Sequence, residues 1–191
     1  DLRGHGRSTL FGDDFSIKNV AKEFEALLKH LKLNQINAIG FSYGGDILIQ
    51  TELANPGAIK SMIIIGSCGT WHAKEFPDFV DYLSYKNIDN LPWMREQQSS
   101  EEQIKSILAQ VPNYNISVST EELKSIQART LLVHGDQDPA TPIECIAKAK
   151  QNLPNSFLWV QPNVAHSAHD DKSKSEFIRI SKEFLTGSWQ K

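Results

Sequence analysis

The chain has 191 residues, 40% of them hydrophobic and 23% charged, which suits one globular domain with a sizeable core and is short for two. A net charge of −3 gives no electrostatic basis for binding nucleic acid or an anionic membrane surface, and no apolar stretch approaches the roughly 18–20 residues of a membrane span. Two cysteines, Cys68 and Cys145, are too few for a disulfide framework and read as an incidental pair of thiols. With no targeting segment recognised after Asp1, the expected location is cytoplasmic.

From residue 16 to 33 the apolar positions Ile17, Val20, Ala21, Phe24, Leu28 and Leu31 recur in steps of three and four, and Leu27 lies beside them. That spacing predicts an amphipathic helix with Ser16 as its N-cap. A short strand over 37–41 follows, then a helix over 44–54 closed by Asn55-Pro56-Gly57. Residues 59–65 are nearly all apolar, as in strands covered on both faces. Later, "RTLLVHGDQDPATP" predicts a strand to His134, a loop, and a helix beginning at Pro142 with Thr141 as its cap. "NSFLWVQPNVAH" predicts a strand to Gln161 and a loop, and a last helix spans about 172–185. Strands alternating with helices imply a parallel α/β sheet with right-handed crossovers.

Residues 67–128 break this rhythm. They hold seven of the chain's 17 aromatic residues, among them Trp71, Phe79 and Tyr114, and are too long for an ordinary crossover. They read as a cap or lid over the C-terminal edge of the sheet, the edge where ligands of such sheets bind. The alternative is a second small packing layer.

Gly40-Phe41-Ser42-Tyr43-Gly44 fits the G-x-S-x-G elbow, between a buried strand and a helix. Gly40, Gly44 and Gly45 suggest a backbone position that side chains would obstruct. Such a turn lifts the Ser42 hydroxyl above the sheet and sets the Tyr43 backbone N–H at a helix N-terminus, ready to donate to an oxyanion. A serine hydroxyl needs a base to attack at neutral pH, and the base needs an orienting carboxylate. Asp138 lies four residues past His134, and His166 lies five past Gln161, so both occupy loops after later strands. The order Ser, Asp, His along the chain is that of a triad assembled on one sheet edge.

With "DLRGHGRS" ahead of the elbow and "HGDQDPATP" ahead of the histidine, the sequence resembles the α/β-hydrolase superfamily throughout, apart from the 67–128 insertion. The resemblance implies an α/β-hydrolase fold, with residues 1–66 and 129–191 as the core and 67–128 as the cap. It also implies Ser42 as nucleophile, Asp138 as acid, His166 as base, and no metal or organic cofactor. Ala165 stands where the family usually has glycine before its histidine. Asp136 is a rival acid but more often braces the turn, and His169 is a rival base better read as a helix-entry or pocket-rim residue. His166, His169, Asp170 and Asp171 form no convincing metal site without a second group of ligands. His5 is a structural turn residue in the family, His134 ends a strand and packs, and His30 and His72 read as surface or rim.

In the family a strand precedes "DLRGHGRS", and the loop after another upstream strand supplies the second oxyanion donor. The expectation is therefore a sheet lacking its N-terminal strands, to be supplied by an upstream segment or another chain, with no residue here assignable as that donor. The activity implied is a serine hydrolase cleaving a carboxylic ester or related small acyl substrate. Acyl transfer, carbon–carbon bond hydrolysis and aminopeptidase action are compatible with the same residues, as is a non-catalytic ligand-binding role.

Overall fold

In the computed structural model, which describes residues 1–9 and 14–189, the four strands read from the sequence align as one parallel sheet. These are β1 (Ile36–Phe41), β2 (Ile59–Ile65), β5 (Arg129–Gly135) and β6 (Ser156–Gln161), in the order β1-β2-β5-β6. The central strand β2 is buried on both faces because its side chains alternate. Met62 and Ile64 face one apolar cluster, shared with α1 (Ile17–His30), α2 (Tyr43–Ala54) and α7 (Ile143–Asn152). Ile63 and Ile65 face the other, built with Leu131, Val133 and α8 (Lys174–Leu185). Each fully buried aliphatic side chain contributes about 1.5–3 kcal/mol, so β2 anchors the layers above and below it.

At the sheet margin, β1 has β2 as its one strand neighbour among the described residues, and Ile39 and Phe41 remain 51% and 36% exposed. The helix before it, α1, buries Ile17, Val20, Ala21 and Leu28, while Leu27 and Leu31 stay about half exposed. Ser16 holds the N-cap position without a side-chain cap bond.

The long insertion between β2 and β5 contains β3 (Thr70–His72) and β4 (Asn115–Ser117), paired antiparallel, with α3 (Pro77–Tyr82), α4 (Pro92–Gln97), α5 (Glu101–Gln110) and α6 (Thr120–Ser125). Its root belongs to the main core through Trp71, Ile116 and Val118. Its outer arm has a small apolar cluster of its own, Ile88, Leu91, Met94, Ile104 and Leu108. That arm is fastened to the N-terminal turn: Gly6 N–H donates to Gln98 Oε1 (2.7 Å) and Gln103 Nε2 donates to the Ser8 carbonyl (2.7 Å).

Two expectations are overturned here. Cys68 and Cys145 are not free thiols but a disulfide, with Cα atoms 6.0 Å apart and a separation of 77 positions along the chain. Adjacent strands β2 and β5 bring their following segments together, and that neighbourhood is invisible in the linear spacing. Thr141 does not cap α7. Pro142 takes that position, while the Thr141 hydroxyl donates to the Gly66 carbonyl at 2.9 Å. No helix among the described residues is long and apolar enough to cross a membrane.

Candidate active site

β1 stops at Phe41 and α2 starts at Tyr43, so Ser42 alone makes the turn, with φ 51° and ψ −118°. A non-glycine residue held there stores roughly 1–3 kcal/mol of strain, a feature that clusters at functional sites. Two backbone bonds hold it: Ser42 N–H donates to the Ile65 carbonyl (2.8 Å), and the Ser42 carbonyl accepts from Gly45 N–H (2.8 Å). A Cβ on Gly40 would lie 2.5 Å from the Gly44 carbonyl oxygen, so the elbow closes only over glycine there. A Cβ on Gly44 would meet nothing within 4 Å, so that glycine is not sterically required, contrary to the sequence reading. The Ser42 hydroxyl has no hydrogen-bond partner among the described residues, and Ser42 lines the main cavity. As the first residue of α2, Tyr43 presents a backbone N–H with no acceptor inside the helix.

Asp138 and His166 meet. Asp138 Oδ2 accepts from His166 Nδ1 at 2.8 Å, which directs the other ring nitrogen elsewhere, and the aspartate side chain is fully buried. Its second oxygen accepts from Ala140 N–H (2.8 Å) and Thr141 N–H (3.0 Å), so the carboxylate is fixed on three sides. The chain carrying His166 passes directly over Gly135, where a Cβ would lie 2.2 Å from the Val164 carbonyl. Asp136 braces that same chain by accepting from Asn163 N–H at 2.6 Å. The His166 ring sits beside Phe41 and Phe79, with centroids 4.9 Å and 6.2 Å away, and also lines the cavity. His134, the second-last residue of β5, is buried, with its Nδ1 lacking a hydrogen-bond partner and 3.7 Å from Asp138 Oδ2, and burial pushes its imidazole below the ordinary value. His169 is not among the cavity residues. It packs between Phe41 and Phe177.

The cavity holds about 370 Å³ and has an aromatic and aliphatic wall that includes Phe15, Trp71, Phe79, Leu83 and Tyr114. No lysine or arginine lines it among the described residues; its acidic members are Asp14 and Asp46. Three contributors escape the sequence reading. His5 reaches the cavity, although the turn it belongs to looked purely structural. Trp71 donates from Nε1 to the Ala140 carbonyl (2.8 Å), joining the insertion to the loop that holds Asp138. Asp46, four residues after Ser42, is buried and accepts from Ser67 Oγ (2.7 Å), Gly69 N–H (3.0 Å) and the Tyr114 hydroxyl. Burial pushes its carboxyl above the usual range, while those three donors pull the other way. The signal was present: an acid set in the otherwise uncharged run Gly-Gly-Asp-Ile-Leu-Ile at the start of a helix that the core buries.

Family comparison places residues 1–83 in a model described as the alpha/beta hydrolase fold, and residues 99–189 in one described as TAP-like protein. The chain belongs to the α/β-hydrolase superfamily. Among similar proteins is the serine hydrolase BPHL of Mus musculus, 26% identical over 97% of this chain and 67% of its own length. Another is the non-heme chloroperoxidase CPO-A1 of Kitasatospora aureofaciens, 25% identical over 97% of this chain and 80% of that protein. Of solved structures, the meta-cleavage product hydrolase of Pseudomonas fluorescens IP01 superposes with a TM-score of 0.78 at 18% identity. That match covers 99% of this chain and 79% of the other. The α/β-hydrolase relatives of this chain are enzymes, and the fold expected from its motifs is the fold it has.

Proposed function

We propose that this α/β-hydrolase is a serine hydrolase that cleaves an uncharged carboxylic ester or related acyl compound through an acyl-enzyme. The observation that carries the reading is the 2.8 Å bond between buried Asp138 and His166, whose ring shares a cavity with the unpartnered, strained Ser42. In this reading His166 Nε2 takes the Ser42 proton as the hydroxyl oxygen attacks the acyl carbon, and Asp138 holds the required tautomer. The tetrahedral oxyanion accepts from the Tyr43 N–H. Collapse breaks the bond to the leaving alkoxide, which takes the proton from His166. A water molecule, deprotonated by the same ring, then attacks the acyl carbon and releases the carboxylic acid and the serine.

Residues 67–128 act as the cap in this scheme, supplying Trp71, Phe79 and Tyr114 to the wall. A lining with two carboxylates and no lysine or arginine disfavours an acyl group that itself carries a carboxylate. The cytoplasmic setting expected from the sequence sits poorly with the Cys68–Cys145 bond, because disulfides persist in oxidising compartments.

The test is a fluorophosphonate probe with adduct mapping on the full chain beside Ser42→Ala, together with a panel of neutral esters, carboxylate-bearing esters, peptides and diketones. Labelling confined to Ser42 and turnover of neutral aryl esters support the proposal. Labelling elsewhere, or turnover that survives Ser42→Ala, overturns it; preferential cleavage of peptides or diketones replaces the ester reading with a rival reaction.

A further inference from the structure

An acid in the first turns of a core helix needs a reason. Ile47, Leu48 and Ile49, the next three residues of α2, are all buried hydrophobics, and an apolar residue at 46 would avoid the cost of dehydrating a carboxyl group. Asp46 instead collects donors from two separate segments. Ser67 and Gly69 belong to the arm of the insertion that leaves β2, and Tyr114 to the arm that returns into β4. One side chain on the nucleophile helix therefore ties down both ends of the cap. The Tyr114 ring so held lines the cavity and lies 5.4 Å from the Tyr43 ring and 5.3 Å from Trp71. Tyr43 is itself pinned, its hydroxyl donating to the Phe15 carbonyl at 2.6 Å.

The geometry points to Asp46 as a positioning residue that clamps Tyr114 against Tyr43, making the Tyr114 ring the wall that limits the length of acyl chain accepted. This deepens the serine-hydrolase reading and rests on it. Asp46 touches no reacting atom; it acts through the ring it holds and through the segment that follows β2. That segment also shapes the base. A Cβ on Gly66, next to Ser67, would lie 2.9 Å from the His166 ring.

The experiment compares wild type, Tyr114→Phe, Asp46→Asn and the double variant on p-nitrophenyl esters with two to ten acyl carbons. Losing the clamp raises KM for the best short ester about tenfold, moves kcat less than about threefold, and shifts the preferred chain by two carbons or more. Because the Tyr114 hydroxyl acts through its bond to Asp46, the double variant is no worse than the poorer single variant. Unchanged chain-length profiles in both single variants, with only a lower melting temperature, would reduce Asp46 to a buttress and overturn the clamp. Fully additive KM effects would overturn it too. Binding of aryl alkyl ketones with two to ten chain carbons, measured in Ser42→Ala with and without Tyr114→Phe, reads the same wall without chemistry. If no ester is turned over by wild type, the hydrolase reading fails while this binding series still decides the wall. A longer preferred chain on loss of the Tyr114 hydroxyl upholds it, and an identical series refutes it.

Discussion

Replacing Asp138 by asparagine tests the proposed acid with almost no change of volume. The carboxylate has two duties: one oxygen accepts from Ala140 and Thr141 N–H groups, and the other accepts from His166 Nδ1. An amide has one acceptor and one donor. If its oxygen stays on the two backbone donors, its NH₂ faces His166 and drives the ring proton to Nε2, where the ring can no longer take a proton from Ser42. If it flips, two N–H groups lose their acceptor in a buried loop, at about 1–3 kcal/mol each. The first arrangement is cheaper, so the wrong tautomer prevails and kcat falls by about 10⁴, equivalent to about 5 kcal/mol in the barrier. Stopped-flow and steady-state hydrolysis of a neutral aryl ester measure that loss, and circular dichroism checks that the fold persists. Asp136→Asn, whose amide oxygen can still accept from the Asn163 and Val164 N–H groups, serves as the control. Retention of more than a tenth of the wild-type kcat by Asp138→Asn, or an equal loss in Asp136→Asn, would refute the assignment.

Other outcomes follow from the same geometry. Gly40→Ala forces a clash with the Gly44 backbone and abolishes folding or Ser42 labelling, whereas Gly44→Ala, facing open space inside a helix, raises stability by about 0.5–1 kcal/mol in denaturant titrations. Reduction of Cys68–Cys145, whose partners lie 77 positions apart, lowers stability by about 4.5 kcal/mol in the chain-entropy account and Tm by roughly 10 °C; calorimetry with and without reductant checks this beside the double serine variant. His134 is held below its ordinary value by burial, so the unfolded chain binds the proton more readily. Stability is then lost as pH falls below about 6.5. His134→Leu flattens that acid limb in unfolding curves at pH 7.5 and 5.5, and an unaltered slope would contradict it.

Local pattern carried the framework. The strand over 59–65 was legible because its neighbours cover both faces, and the loops bearing Asp138 and His166 were legible because each follows a strand at short range. What the sequence hid depends on contact between distant segments. The Cys68–Cys145 bond needs β2 beside β5, and Asp46 gains its meaning only when Ser67, Gly69 and Tyr114 arrive around it. Thr141 misled because its hydroxyl has a better partner across the sheet, in Gly66, than along its own helix. The glycines of the elbow looked equivalent on paper, yet packing distinguishes Gly40 from Gly44.

The bond between Cys68 and Cys145 also bears on what a protease would leave behind. The exposed residues Ser99 and Ser100, between α4 and α5, lie inside the loop that the bond closes. A single cut there yields two pieces of nearly equal length that run as one full-size species without reductant and at about half that size with it. Ser42 would travel on one piece and both Asp138 and His166 on the other, so a nicked sample that still hydrolyses esters would be a two-chain enzyme stapled across its own pocket.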